Sequence, residues 1–127
     1  MERLFRHCQD QSPAIRQFCT HQLSQFGVDI VQEVMGWEEF YRGVEGVVRG
    51  MRGEEDGEMG RWVAVCMRKM MGYEMEKRGW NAFRVKREDL HQLIADVVDR
   101  ISRGKELDVW RRFLPRVYLL LQITPAN

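Results

Sequence analysis

Met59-Gly60-Arg61-Trp62-Val63-Ala64-Val65-Cys66-Met67 is the stretch on which the fold turns. Trp62 through Met67 are apolar in unbroken succession. At 3.6 residues per turn they put apolar side chains on every side of a helix, and such a helix belongs in the middle of a bundle. The pattern predicts a central helix over residues 59–77, stopped near Gly79. Met59, Met67, Met70, Met71 and Met75 all fall on it. Most are expected in the core, although methionine also suits adaptable surfaces that receive a partner's helix.

Reading outward from this helix, Gly53-Glu54-Glu55-Asp56-Gly57 is a polar, acidic loop and the clearest break in the chain. Before it, Phe40, Tyr41, Val44, Val47, Val48 and Met51 recur at helical spacing from Trp37 on. Gly43, Gly46 and Gly50 interrupt that helix at roughly 1 kcal/mol each relative to alanine, so it needs tertiary support. Residues 28–35 are expected to form one or two helical turns. Ser12-Pro13 is a good helix start and Gly27 a good stop, which predicts a helix over 13–26 with Ile15, Phe18, Cys19, Leu23 and Phe26 on one buried face. Beyond the central helix, residues 80–85 read as a connector. Leu90, Leu93, Ile94, Val97, Val98 and Ile101 then make an amphipathic stripe, with Glu88 and Asp89 at its start and Arg100 and Arg103 near its end. Leu107, Trp110, Phe113 and Leu114 precede Pro115, which is expected to split the last segment into two short helices. No strand pattern is convincing, so the fold class is all-α, one domain over residues 1–127.

Bulk properties narrow the function classes. The 127 residues hold 20 basic and 19 acidic side chains, a net charge of +1, and 44% of them are hydrophobic. That balance argues against a dedicated nucleic-acid binder and against a polybasic membrane anchor. Cys8, Cys19 and Cys66 are odd in number and lack framework spacing, which suits a reducing compartment. Residues 1–7 lack the apolar segment of a secretory signal, and the most apolar run, 117–121, is far short of the ~20 residues of a membrane span. The expectation is a soluble, cytoplasmic chain without a tail anchor.

Chemical constellations are sparse. His7-Cys8 and Cys19-x-His21 resemble metal ligands, but residues two apart on a helix point in nearly opposite directions and cannot share an ion. Glu88-x-x-His91 has di-iron spacing without the second pair and the extra glutamates such sites use. No nucleophile elbow, phosphate loop or zinc-protease motif is present. Neither an enzyme, a metal nor a cofactor is implied. Arg111, Arg112 and Arg116 near Trp110 and Tyr118 could contact phosphate or bases, though an exposed helix face is the plainer reading.

Gly60-Arg61-Trp62-Val63-Ala64-Val65 follows directly on a polar loop and resembles the first homology motif of the Bcl-2 family of apoptosis regulators, N-W-G-R-(I/V)-V-A-(L/F). Leu23-Ser24-Gln25-Phe26-Gly27 resembles the L-S-Q-x-G close of that family's N-terminal helix. Val44 through Met51, leading to Asp56-Gly57, is similar to its V-x-E-L-F-x-D-G helix. Trp110-Arg111-Arg112-Phe113 with Tyr118 resembles the second homology motif. These motifs occur in family order across residues 13–121. Glu58 and Met59 stand where the family has asparagine and tryptophan, and the stretch between Gly27 and Gly60 is short. A short chain with such departures and no tail resembles viral members.

The resemblance implies a Bcl-2-like helical bundle around the 59–77 helix. It also implies an anti-apoptotic function: sequestering pro-apoptotic proteins (Bim-type, also Bak or Bax) by holding their death-motif helix in a surface groove. Arg61 would pair with the partner's aspartate and Gly60 would let its backbone approach. Val44, Val47, Val48, Met51, Val63 and Ala64 would line the groove, and Trp110 and Tyr118 would close one end. Glu58 would repel a ligand acid and narrow the ligand range. A shortened groove wall leaves apolar surface, for which a homodimer is the expected cover. Location would be cytoplasmic, peripheral at mitochondria. The alternatives are a helical adaptor unrelated to apoptosis and, further off, a nucleic-acid-binding regulator.

Overall fold

The computed structural model describes residues 13–51, 57–102 and 107–122. They form six α-helices: α1 (Pro13–Phe26), α2 (Val28–Met35), α3 (Trp37–Gly50), α4 (Gly57–Arg78), α5 (Arg87–Ser102) and α6 (Leu107–Leu120). A single 3-10 turn, Ala82–Arg84, joins α4 to α5, and no strand occurs among the described residues. The acidic loop at 53–56 and the residues before 13 lie outside the described residues.

Helix α4 packs against each of the other five helices. Helices α1 and α2 lie against it in succession along its length, with His21 beside Glu58 and Asp29 beside Lys69. The chain changes course between α1, α2 and α3 at Gly27 (φ 79°) and Gly36 (φ 78°), backbone geometry that glycine adopts without a side-chain clash. Helix α3 returns antiparallel: Trp37 at its start stacks on Tyr73 at 3.9 Å between ring centroids, Tyr41 reaches Glu74, and Met51 just past its end lies beside Gly60. Helix α5 also runs antiparallel to α4, through Arg78 to Asp96 (2.7 Å) and Arg100 to Glu74. The Arg78 guanidinium holds the Asp96 carboxyl below the usual carboxylate range, against the opposing effect of burial. Helix α6 closes over the start of α4.

One core forms between these helices. Phe40, Val44, Val47 and Val48 from α3 meet Met59, Val63, Met67 and Met70 from α4 and Leu93, Ile94 and Val97 from α5, all essentially without exposed surface. The three glycines of α3 cost about 3 kcal/mol together. Full burial of a side chain such as Phe40 or Val47 contributes ~1.5–3 kcal/mol, so the packed face outweighs them. A polar clamp crosses the three core helices: Tyr41 donates to Glu74 Oε1 at 2.8 Å, and Arg100 donates to the same oxygen while lying over the Tyr41 ring. Burial, and then the Glu74 hydrogen bond, hold the Tyr41 hydroxyl protonated well above the ordinary phenol range.

Three expectations need correction. The α1 stripe is not a buried face: Leu23 is fully buried, but Ile15, Phe18 and Phe26 are exposed, Phe18 at 62%. Helix α1 lies at the edge of the bundle against α4 and α2, so one narrow line of it is covered. The side chain of Cys19 lies outside the described residues. Helix α4 is not covered all round, because Arg61, Val65, Arg68, Gly72 and Glu76 form an open stripe at i, i+4, i+7, i+11 and i+15. Pro115 does not divide the last segment; α6 is continuous through it. Pro115 is exposed, so the carbonyl it leaves without a partner can be hydrated, while Val117 and Tyr118 hold the helix to the core.

Candidate helix-binding site

Gly60 and Arg61 sit in the first turns of α4, where sequence reasoning places the centre of a partner site. Gly60 is buried. A Cβ there would stand 3.4 Å from Arg116 Cδ, 3.7 Å from Met51 Cε and 3.9 Å from Leu120 Cδ1. Two of these three neighbours belong to α6, so this chain's own last helix occupies the approach to Gly60. Arg61, one residue on, is exposed and makes no hydrogen bond or ion pair among the described residues. Glu58 is engaged with His21 Nδ1 at 3.2 Å.

Val44, Val47, Val48, Met51 and Val63 are brought together with one another, and Ala64 is buried beside them. They form the closed core between α3, α4 and α5 and do not line an open groove. Each is at most 3% exposed, which leaves no room for a ligand without movement of a helix. Where an open groove was expected, these residues are buried among α3, α4, α5 and α6. Tyr118 is buried as well, its ring 5.3 Å from His91 and its hydroxyl 3.4 Å from His91 Nδ1; burial pushes its phenol up. Trp110 falls within α6, but its side chain lies outside the described residues. Of the basic cluster, Arg112 is exposed and Arg116 is half-buried against Gly60; the side chain of Arg111 lies outside the described residues.

Sequence reasoning missed a second concavity. Val28, Asp29, Val65, Arg68 and Lys69 line an open cleft of about 390 Å3 between α2 and α4. Lys69 donates to Asp29 at 2.5 Å across it, and Arg68 donates to the Leu120 carbonyl at 3.0 Å. The signal was present in the spacing of Arg61, Val65 and Arg68, a mostly polar stripe inside a helix read as apolar all round. Cys66 points the other way and is fully buried, and burial pushes its thiol well up. Glu88 is exposed and His91 turns toward Tyr118. No three His, Cys, Asp or Glu side chains converge as metal ligands among the described residues. No described helix is long and apolar enough to cross a membrane.

The chain matches no family model, and comparison with the curated proteins and with the solved structures finds no match either.

Proposed function

We propose that this bundle is a pro-survival module of the Bcl-2 type. It takes up the amphipathic death-motif helix of a pro-apoptotic partner and keeps that partner from acting. The observation that carries the reading is the contrast at the head of the central helix. Gly60 is a small residue already in helix-to-helix contact, and Arg61 beside it is a cation with no partner among the described residues. A ligand helix bearing apolar anchors and one aspartate needs that pairing: close backbone approach next to a charge that fixes register.

Val44, Val47, Val48 and Met51 are buried, so binding exchanges one helix for another and does not fill a preformed slot. Helix α6 is the element to be displaced. Its contact at Gly60 is made by the aliphatic part of Arg116 and by Leu120, both half-buried, and displacing it must also free Val117 and Tyr118 from the core. The exchange lowers apparent affinity by the free energy of opening, which favours few, strong ligands over many. Glu58, drawn toward His21, adds local negative charge that works against acidic ligand positions.

Titration calorimetry with a Bim-type peptide tests this reading. The chain is expected to bind, and Arg61→Ala to weaken binding at least tenfold, in line with the ~2–5 kcal/mol typical of truncating one side of a desolvated charge pair. Equal affinity for both proteins would reject the groove assignment.

A further inference from the structure

The connector between α4 and α5 carries two cations and no acid. Between the two helices the only charged side chains are Arg84 and Lys86; Lys77, Arg78 and Arg87 adjoin them, with Glu76 and the Glu88-Asp89 pair just beyond on either side. Within the connector stands Phe83, 98% exposed, the most exposed of the large apolar side chains among the described residues. Its position is built. Asn81 caps the 3-10 turn by accepting from the Phe83 backbone N–H at 2.9 Å, and the Arg84 N–H bonds the Asn81 carbonyl at 2.9 Å. The base is fixed as well, with Arg78 paired to Asp96 and lying over the Trp80 ring at 5.2 Å. Arg84 and Lys86 are exposed and make no ion pair among the described residues.

From this arrangement we infer that the α4–α5 tip is a contact point for an anionic lipid surface, with Phe83 seated at the headgroup level and Arg84 and Lys86 against lipid phosphates. Phe83 is the one large apolar side chain exposed among the described residues of the connector, too little apolar surface for a protein-docking patch. A fluid interface needs none, because it closes around the ring wherever it enters. The surrounding cations match a negative leaflet, where each basic residue near the surface strengthens binding by about fivefold. The inference does not depend on peptide binding at Gly60 and Arg61.

Vesicle co-sedimentation of the 127-residue chain tests it. Vesicles of phosphatidylcholine with about one-third phosphatidylserine are expected to retain the chain at low salt, and pure phosphatidylcholine vesicles are not. Phe83→Ser should lower retention about tenfold, and Arg84→Glu with Lys86→Glu should abolish it. Both variants alter exposed side chains, and an unchanged far-UV circular dichroism spectrum establishes that they fold. Three results would overturn the inference: no retention on anionic vesicles, equal retention on neutral ones, or Phe83→Ser indistinguishable from the parent. Loss of duplex-oligonucleotide binding in the charge variant, with vesicle binding unchanged, would assign the tip to nucleic acid instead.

Discussion

A methyl group added at Gly60 would make ordinary van der Waals contacts with Arg116, Met51 and Leu120, so the packed state does not demand glycine there. A ligand helix crossing at backbone distance would demand it. The two requirements separate cleanly in one variant. Gly60→Ala is expected to raise unfolding stability by about 0.5–1 kcal/mol in urea melts through helix propensity, while weakening a Bim-type peptide. A stability gain with full affinity would show that no ligand backbone passes over this residue. Residue types were legible in the sequence wherever periodicity was strong: Phe40, Val44, Val47, Leu93 and Ile94 are buried as their spacing requires. Exposure of Val65 was not legible. It depends on where five neighbouring helices end, and no local pattern carries that.

Helix boundaries followed local chemistry closely. Helix α1 spans Pro13–Phe26, from the proline start to the glycine stop, and α5 begins at Arg87 with acids in its first turn. Pro115 reads as a break on the cost of a lost hydrogen bond alone, but α6 continues through it, held by the packing of Val117 and Tyr118. The clamp joining α3, α4 and α5 had no sequence signature at all. Tyr41, Glu74 and Arg100 are far apart in the chain, and Glu74 reads as one more polar residue of a helix end. Removing Glu74 would leave the Tyr41 hydroxyl buried and unsatisfied and Arg100 without its acceptor. Glu74→Ala is therefore expected to cost about 2–4 kcal/mol in chemical denaturation. A cost under about 0.5 kcal/mol, the range of an ordinary surface substitution, would mean that packing alone joins these helices.

At the scale of the whole molecule, apolar side chains remain outside the single core. Ile30 and Val34 on α2 and Leu119 on α6 are exposed, as are Ile15 and Phe18 on α1. Self-association is the expected cover, and light scattering at micromolar concentration should report twice the chain mass; the mass of one chain would contradict it. The all-helical architecture was legible in the sequence because 3.6-residue periodicity pervades the chain. The closure of the candidate site was not, since it depends on α6 folding back over Gly60. Under the proposed function that closure makes binding an exchange, in which a ligand helix enters where α6 now lies. Methyl-resolved NMR during titration with a Bim-type peptide tests this most directly. Val47, Val48, Met51 and Val63 are expected to shift together with Leu120 as α6 leaves its seat. Shifts confined to Val28 and Val65, or none at saturating peptide, would contradict it.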